Sequence, residues 1–378
     1  MAETAFDPTS EARLRPVKRV EAARPQTKWA QLAEVLERHR GGRLLILLCG
    51  YPDPDNIGAG LTLQHLAQAA GIESMLLTFH EVSHQENRAM VNRLTVDLRL
   101  YDERCDLEAY GLYAFVDTQK MDTPIQEQLR RKTFLAFVDH HKKLGEVPAE
   151  FVDIREESGS TCAIFADYLR EAYPDGLNAD DPDHVRLATA LMHGIRSDTR
   201  ALIEGSRLDF EGAAYLTEAV DQTLLRKISA QSLSPAVMDM IQSALDRKRI
   251  YDNFLLSDVG FVRKENRDGI PQTADFLLTR EGIDTVLVFG VVDGKTVDGS
   301  LRTRNDTINP DTFLKKAFGI DDDRGTYYGG GNIRDKGGFQ IPIGFLAQHK
   351  DRDQLYRLAC EVVQEKFLEA IGLEPDND

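Results

Sequence analysis

Acidic residues follow successive apolar segments in the first half of this chain. In chain order they are Asp53 and Asp55 after the run RLLILLC at 43–49, Asp117 after LYAFV at 112–116, Asp139-His140-His141 after FLAFV at 134–138, and Asp198 after the helical segment LATALMHGIRS. In an open parallel α/β sheet, ligands bind outside the carboxyl ends of the strands. We therefore expect these side chains to converge on one crevice.

The segments between the apolar runs predict helices that flank a parallel sheet. The candidate strands are 43–49, 74–79, 112–116 and 134–138, and the candidate helices are 57–70, 160–173, 184–196 and 210–225. Gly71 stands where a helix over 57–70 would end. Short apolar runs that alternate with helical patterns are typical of βαβ units. The predicted fold class is therefore α/β.

The length of 378 residues is enough for two domains, because single hydrophobic cores usually stop growing at roughly 250 to 300 residues. From residue 251 onward the pattern changes to a second set of apolar runs and a final helix over 351–371. The predicted organisation is a polar N-terminal tail (1–28), a parallel-sheet domain (29–235), a helical linker (236–250) and a smaller α+β domain (251–378).

Composition restricts the classes of partner. A net charge of −16 disfavours a protein that coats long nucleic acid, because such binding neutralises many phosphates with Lys and Arg. No apolar run approaches the roughly 18 to 20 residues of a membrane span, and the first residues lack an apolar signal core. We therefore expect a cytoplasmic protein with no membrane partner. Self-association through exposed helices stays open.

The acidic cluster predicts a metal site. An aspartate after a strand is often only a turn former or a helix N-cap, but an ordered set of them is much rarer. Carboxylates gathered in one crevice repel one another, at a cost of several kcal/mol, unless cations neutralise them. Oxygen ligands with one imidazole suit Mn²⁺ or Mg²⁺. Two such metals about 3.5 to 4 Å apart would form a clamp for in-line attack on phosphorus.

The same residues resemble the motifs of the DHH phosphoesterase family. The matching segments are 51–58, 115–119, the namesake tripeptide Asp139-His140-His141, and 194–199. The second half is similar to the DHH-associated substrate domain through residues 299–304 and 328–332. The resemblance covers residues 40 to 345 in the family's order and spacing.

The resemblance implies a substrate-binding second domain and two Mn²⁺ ions per subunit, with Mg²⁺ or another divalent ion as the alternative. Asp53 and Asp117 would bind the first metal. The ligands of the second would be Asp55, Asp117, His140 and Asp198, which makes Asp117 the bridge. His141 would donate to the scissile phosphate, and Asp139 would orient His140 or its loop. Metal-activated water would attack phosphorus without a covalent enzyme intermediate.

Two positions depart from the family pattern. Cys49 stands four residues before the first aspartate, where relatives commonly have a histidine. A thiolate is softer than Mn²⁺ favours, so Cys49 is either a ligand of an altered first metal or a buried strand residue without metal contact. Asn332 follows the glycine run where many relatives have a histidine, and it can donate to a phosphate without carrying charge.

Several further residues are candidate substrate contacts. Arg302 and Arg304 alternate with Leu301 and Thr303, which predicts one strand face suited to clamping a phosphate. A glycine run allows backbone amides to approach an anion closely. The candidates are Arg302, Arg304, Gly329, Gly330, Gly331, Asn332, Asn87 and Arg88. Helix capping and surface charge explain the last two equally well.

These features predict a hydrolase, a metal-dependent phosphoesterase that cleaves phosphodiester or phosphomonoester bonds of small nucleotides. Short oligoribonucleotides, linear or cyclic dinucleotides and 3′-phosphoadenosine 5′-phosphate are the candidate substrates. A pyrophosphatase or short-chain polyphosphatase is the alternative, because no obvious aromatic stacking platform accompanies the arginines. A catalytically weakened nucleotide-binding sensor is a third reading, motivated by Cys49.

Overall fold

The computed structural model describes residues 27–82, 84–121, 123–230, 233–321, 325–331 and 335–373. The chain divides into two compact units, residues 1–229 and residues 230–378. Nearly all of the predicted tail at 1–28 lies outside the described residues. No helix in the described ranges is both long and apolar enough to cross a membrane.

The first unit alternates strands with helices. Its strands are β1 (Arg43–Leu48), β2 (Glu73–Thr78), β3 (Leu98–Leu100), β4 (Leu112–Val116), β5 (Thr133–Asp139) and β6 (Phe151–Ile154). Its helices are α1 (Lys28–Arg38), α2 (Pro54–Ala69), α3 (Gln85–Arg93), α4 (Gln126–Leu129), α5 (Thr161–Ala172), α6 (Pro182–Asp198), α7 (Arg207–Leu216) and α8 (Gln222–Ser229), with a short 3₁₀ helix over Leu107–Ala109.

The strands of this unit form a parallel sheet in the order β3-β2-β1-β4-β5-β6. The chain runs outward from β1 through β2 to β3 and then returns to the other side of β1 for β4. This reversal opens a crevice between the carboxyl ends of β1 and β4, which is where open α/β sheets bind ligands. Asp53 and Asp55 follow β1, and Asp117 follows β4.

Apolar side chains cover both faces of the sheet. Leu44, Ile46 and Leu48 of β1 belong to a large core shared with α1, α2, α5 and α6. Leu45 and Leu47 belong to a smaller, aromatic-rich core on the opposite face. Strands buried on both faces read as continuous apolar runs, which is why the sequence shows the strands so clearly.

Two glycines allow α2 and α6 to pack closely around Cys162 of α5. A Cβ atom on Gly58 would lie 2.7 Å from the Cys162 sulfur and 3.1 Å from the Ala190 carbonyl oxygen. A Cβ atom on Gly194 would collide with the same sulfur and lie 3.1 Å from the Asp55 Cα atom. The close approach of these helices therefore places the start of α2 beside the end of α6.

The second unit is built around a mixed sheet. Its strands are β7 (Arg249–Tyr251), β8 (Phe254–Val262), β9 (Thr285–Val292), β10 (Thr296–Thr303), β11 (Ile320–Asp321), β12 (Thr326–Tyr327), β13 (Gly329–Gly331) and β14 (Lys336–Pro342). Its helices are α9 (Pro235–Arg247), α10 (Gly269–Leu277), α11 (Pro310–Phe318) and α12 (Arg352–Ile371), with 3₁₀ helices over Lys264–Asn266 and Gly344–Gln348.

In the second unit the main sheet has the order β13-β14-β10-β9-β8-β7, and β11 pairs with β12 separately. Strands β8 and β9 are parallel, whereas the other neighbours are antiparallel. One face packs its apolar side chains against α9 and α10. The other packs against α11 and α12. The two units therefore have separate hydrophobic cores.

The α/β fold class is confirmed, and the four predicted strands of the first half correspond to β1, β2, β4 and β5. The helical pattern at 210–225 is not a single helix, because the Asp221 carboxylate accepts hydrogen bonds from the amides of Thr223 and Leu224 and starts α8 anew. Most of the segment 236–250, read from sequence as a linker, forms α9 and packs within the second unit.

We expect Gly194→Ala to destabilise the first unit by about 1 to 3 kcal/mol, because the added methyl group overpacks the contact with Cys162 and Asp55. Helix propensity alone predicts that the substitution stabilises the protein, since alanine is favoured over glycine within a helix by about 1 kcal/mol. The measurement is the urea unfolding midpoint. Gly111→Ala is the matched control, because its Cβ atom would meet nothing within 4 Å. A Gly194→Ala protein as stable as the wild type would contradict this packing account.

Candidate metal centre

Asp55 is the most deeply held carboxylate of the crevice. It lies in the first turn of α2 and is fully buried. Its two oxygens accept hydrogen bonds from the backbone amides of Thr161, at 2.7 Å, and Cys162, at 2.8 Å. These amides form the amino end of α5, where the helix dipole favours a negative charge. The start of one helix therefore positions the acid of another.

Asp53 is the N-cap of α2. Its Oδ1 atom accepts from the Asn56 amide at 2.9 Å, and the Asn56 side chain accepts from the Asp53 amide in return. Burial, with a smaller contribution from the charge of Asp55, raises the pKa of Asp53 to about 6. Asp53 therefore caps α2 and also lies beside the other acids of the crevice.

Asp117 occupies a left-handed backbone conformation with φ of 59°. Such a conformation costs a non-glycine residue roughly 1 to 3 kcal/mol and is concentrated at functional sites. Its Oδ1 atom accepts a hydrogen bond from the Thr161 hydroxyl at 3.0 Å. Burial, and then the charges of Asp55, Asp53 and Asp198, raises the pKa of Asp117 well above its usual value. Without a cation, this site disfavours the ionised form.

His140 faces three carboxylates with one ring nitrogen. Nε2 lies 3.4 Å from Asp117 Oδ1, 3.5 Å from Asp198 Oδ2 and 3.8 Å from Asp55 Oδ2. This nitrogen is buried and has no hydrogen-bond partner among the described residues. Nδ1 lies 3.3 Å from the Ser158 carbonyl oxygen, which can only accept a hydrogen bond.

In the tautomer with a proton on Nδ1, which this contact favours, the lone pair of Nε2 is directed at the carboxylates. Lone pairs that face one another across a buried gap repel, whereas a divalent cation in the gap would bind all of them. Oxygen donors with one imidazole fit Mn²⁺ or Mg²⁺. The residues present thus fit a divalent metal, and His140 would be its nitrogen ligand.

Asp198 ends α6 and is followed by a tight left-handed turn. Arg200, Ala201 and Leu202 have φ values of 48°, 56° and 71°. The Thr199 hydroxyl accepts from the Leu202 amide at 2.9 Å, which helps to hold the turn. Three such residues in succession are energetically costly, so the surrounding structure must impose this exit from the metal site.

His141 is held by Asp139 and is itself 58% exposed. The Asp139 carboxylate lies 2.8 Å from His141 Nδ1, and Gln119 donates to its other oxygen at 2.6 Å. The hydrogen bond that His141 donates to Asp139 raises the pKa of His141. Burial opposes ionisation of Asp139, but the hydrogen bonds from His141 and Gln119 outweigh it and lower the pKa of Asp139. Asp139 thus contacts His141 directly, while His140 is oriented by Ser158.

The ligand atoms form two overlapping groups, each within 4.8 Å. They are Asp55, His140 and Asp198, and Asp117, His140 and His141. Neither group contains all four residues that the resemblance assigns to the second metal, but Asp55, Asp117 and Asp198 each lie within 3.8 Å of His140 Nε2. Cys49 belongs to neither group among the described residues, and it packs against the aromatic-rich core of the opposite sheet face. Both interpretations of Cys49, as a metal ligand and as a buried residue without metal contact, stay predictions.

Sequence reasoning did not single out the loop before α5. Ser160 caps this helix, and the buried Asp209 carboxylate accepts from the Ser160 hydroxyl and the Gly159 amide, both at 2.8 Å. The loop thereby presents the Thr161 amide and hydroxyl to Asp55 and Asp117. A serine before an apolar helical pattern is a recognisable N-cap signal, but its acidic partners lie far away in sequence.

Two predicted substrate contacts lie on α3. The Asn87 side chain donates to the Pro52 carbonyl oxygen at 2.8 Å, which ties α3 to the loop that carries Asp53. Arg88 is exposed on the same helix. Asn87 therefore has a structural role in this loop, and the assignment of Arg88 as a substrate contact stays a prediction.

In the second unit, Arg302 lies in β10 and is largely covered. Its guanidinium donates to Asp275 of α10 at 2.6 Å and to the Ser300 hydroxyl at 2.7 Å. Arg304 lies beyond the end of β10 and is exposed. The two arginines thus differ in environment, and an anion at Arg302 would compete with the Asp275 carboxylate.

The three glycines of the predicted anion loop, Gly329, Gly330 and Gly331, form β13 at the sheet edge. The Gly331 amide donates to Asp311 Oδ1 at 3.2 Å. That amide already donates to a carboxylate, and an anion that binds there would have to displace the Asp311 side chain. Asn332 lies outside the described residues.

The structure has a parallel sheet in this order, with aspartates and the tripeptide Asp139-His140-His141 at its carboxyl edge, as the DHH resemblance implies. No model of a known protein family matches the sequence. The chain is 34% identical over 374 residues to the uncharacterized protein MJ1633 of Methanocaldococcus jannaschii, which covers 95% of this chain and 73% of that protein. The chain therefore belongs to the same family as MJ1633.

Solved structures share the fold at low sequence identity. An exopolyphosphatase-related protein from Bacteroides fragilis has a TM-score of 0.67 and 14% identity, with 91% of this chain and 98% of that chain covered. The exonuclease RecJ bound to manganese has a TM-score of 0.51 and 15% identity, with 93% and 96% covered. The fold expected from the DHH resemblance is confirmed.

The raised pKa of Asp53 predicts how the metal-free protein responds to pH. A group whose pKa is raised on folding stabilises the protein below its unfolded value of 3.8, and this contribution is lost as the pH rises through about 6. We expect this group to lower the free energy of unfolding by roughly 2 kcal/mol between pH 4 and pH 7 in a chelator.

Urea unfolding of the wild type and of Asp53→Asn across this pH range is the measurement. The variant should lack this part of the pH dependence. With saturating Mn²⁺, the stability of the wild type should instead rise with pH over this range, because a metal stabilises the ionised carboxylates. Identical pH profiles for the two proteins in chelator would be incompatible with a raised pKa of Asp53.

Proposed function

We propose that this protein is a metal-dependent phosphoesterase that hydrolyses small nucleotide substrates. The observation that carries the proposal is the Nε2 atom of His140, buried without a hydrogen-bond partner among the described residues and within 3.8 Å of three carboxylates. This arrangement calls for a divalent cation. The neighbours in fold support it, since one is named as an exonuclease bound to manganese.

The proposed ligands are Asp55, Asp117, His140 and Asp198, with Asp53 completing a site for a second ion. Divalent metal supplies a Lewis acid that neutralises phosphate charge and a water of lowered pKa as the nucleophile. The protein residues hold these groups in place: α5 fixes Asp55, and the Thr161 hydroxyl fixes Asp117. Mn²⁺ is the proposed ion, two per subunit, with Mg²⁺ as the alternative.

His141 is the proposed proton donor. Its raised pKa favours the imidazolium form, and its exposure allows contact with a substrate. As water attacks phosphorus and the bond to the leaving oxygen breaks, the imidazolium would give that oxygen a proton. Asp139 would hold the ring and stabilise its charge, in the manner of the acid that orients a catalytic histidine.

The proposed substrates are short. The net charge of −16 opposes binding to long nucleic acid, while one metal cluster and a few cations suffice for a dinucleotide or a mononucleotide bisphosphate. We propose that the second unit is a DHH-associated substrate domain in which Arg302 contacts a phosphate, exchanging its ion pair with Asp275 for the ligand. A cytoplasmic location would suit such substrates.

Cleavage of a phosphoanhydride is the second candidate. The neighbour with a TM-score of 0.67 is named as exopolyphosphatase-related, which favours pyrophosphate or a short polyphosphate. Both candidate reactions need the same metals and the same proton donor. They differ in whether the protein recognises a base and a sugar, so a substrate comparison separates them.

We expect the purified protein with Mn²⁺ to release mononucleotides from pApA and to hydrolyse pyrophosphate much more slowly. The measurement is product release from pApA, a cyclic dinucleotide, 3′-phosphoadenosine 5′-phosphate and pyrophosphate in parallel.

Asp117→Ala should lose both Mn²⁺ affinity and turnover, because it removes the central carboxylate. Hydrolysis of pyrophosphate alone would support the second candidate. Normal turnover by Asp117→Ala would overturn the metal mechanism.

A further inference from the structure

Two aromatic rings stack on each other at the edge of the sheet that carries the metal centre. Tyr51 follows β1 and His80 follows β2, with ring centroids 4.5 Å apart and an angle of 29° between the ring planes. Tyr51 is 62% exposed, and His80 is exposed as well. The stack therefore lies in solvent and is not part of a hydrophobic core.

The backbone beneath Tyr51 is rigidly held. Gly50 has a φ of 82°, which a residue with a side chain rarely adopts, and Pro52 follows immediately. The Asn56 side chain donates to the Tyr51 carbonyl oxygen at 3.4 Å, and Asn87 donates to that of Pro52 at 2.8 Å. The position of the tyrosine is thus set by the same loop that positions the metal-site acids.

The backbone beneath His80 is held as well. The buried Thr78 hydroxyl donates to the His80 carbonyl oxygen at 3.1 Å and accepts from the His80 amide at 3.3 Å. The Thr78 carbonyl oxygen in turn accepts from the Tyr101 amide at 2.8 Å. Both rings therefore project from fixed backbone, so little ordering would be needed for a ligand to stack on them.

Tyr51 is two residues from Asp53, so their Cα atoms are at most roughly 7 Å apart. A nucleotide whose phosphate contacts the metal site could place its base or sugar at this distance. Isolated exposed aromatic residues are common and need no function. A pair that stacks in solvent, on held backbone and beside an acidic crevice, meets the requirements of a stacking platform for a nucleobase.

We propose that Tyr51 and His80 form a stacking platform that binds a nucleobase of the substrate. This inference rests on the proposed function and makes it more specific, since it assigns base recognition to the first unit. Aromatic stacking accepts any base because every base has a π face. The platform would therefore favour nucleotides over pyrophosphate without selecting one base sequence.

Binding is tested separately from turnover with 2-aminopurine ribonucleoside 5′-monophosphate, whose fluorescence is quenched when its base stacks. The full-length protein is loaded with Mg²⁺, which does not quench paramagnetically. We expect quenching by the wild type and by Tyr51→Phe, and loss of quenching in Tyr51→Leu, which keeps apolar bulk but has no ring. Equal quenching by Tyr51→Leu and the wild type, or none by the wild type, would overturn the platform.

Turnover gives a second readout through a cycle of two changes. One change is Tyr51→Leu, and the other is replacement of the bases of pApA by abasic sugars. We expect either change to raise KM by roughly 10-fold to 100-fold with a smaller effect on kcat. The two changes together should cost about as much as one, because both remove the same contact. Fully multiplicative effects would contradict a direct contact between ring and base.

The two assays separate this proposal from the proposed function. Absence of turnover on every phosphodiester, with quenching that depends on Tyr51, would contradict the phosphoesterase and retain the platform as a nucleotide-binding site. Turnover of pApA with an unchanged KM in both Tyr51→Leu and His80→Leu would retain the enzyme and reject the platform. Melting temperature and Mn²⁺ affinity of each variant show whether the fold and the metal centre are intact.

Discussion

Mutual repulsion among buried acids is the constraint on which the rest of this structure depends. Asp55, Asp117 and Asp198 each approach the same imidazole nitrogen, and Asp55 and Asp117 are almost completely buried. Charges held this way would cost several kcal/mol in the absence of a cation. Burial, and then the charges of the neighbouring acids, raises the pKa values of Asp53 and Asp117 in the protein without metal. A divalent ion bound among these carboxylates would replace their mutual repulsion by attraction to the ion.

The fold supplies the means to hold this arrangement. Glycines at 58 and 194 let α2 and α6 close around Cys162, so the acid at the start of one helix meets the acid at the end of the other. The amino end of α5 then neutralises part of the charge of Asp55 through two backbone amides. Buried Asp209 holds the loop that precedes α5. Helix packing, backbone dipoles and hydrogen bonds therefore all hold the acidic side chains of the crevice in place.

Much of the first unit could be predicted from sequence, because strands buried on both faces appear as unbroken apolar runs. Three of the four predicted strands, β1, β4 and β5, are also followed by candidate acids. The short edge strands β3 and β6 could not be predicted in this way. Leu98–Leu100 has exposed positions and only three residues, so its strand conformation depends on its pairing with β2. Hydrogen bonding by Asp221, which splits one helical pattern into α7 and α8, is similarly a local detail.

The contacts that tune the site were less accessible to sequence reasoning. The sequence pattern does not indicate that Asp139 pairs with His141 while Ser158 orients His140. The two adjacent histidines differ only in the direction of their side chains. The ion pair of Arg302 with Asp275 joins residues from separate elements. The stack of Tyr51 and His80 joins the ends of two strands. Sequence spacing contains little information on such pairs, whereas motif order predicts which residues share a crevice.

The claim that His140 is the nitrogen ligand of the metal is tested most directly by pulsed electron paramagnetic resonance of bound Mn²⁺. Nitrogen modulation of the electron spin echo reports an imidazole in direct contact with the ion. The account predicts this modulation in the wild type and in His141→Gln, and its loss in His140→Gln measured at saturating Mn²⁺. Modulation that persists in His140→Gln and disappears in His141→Gln would contradict it.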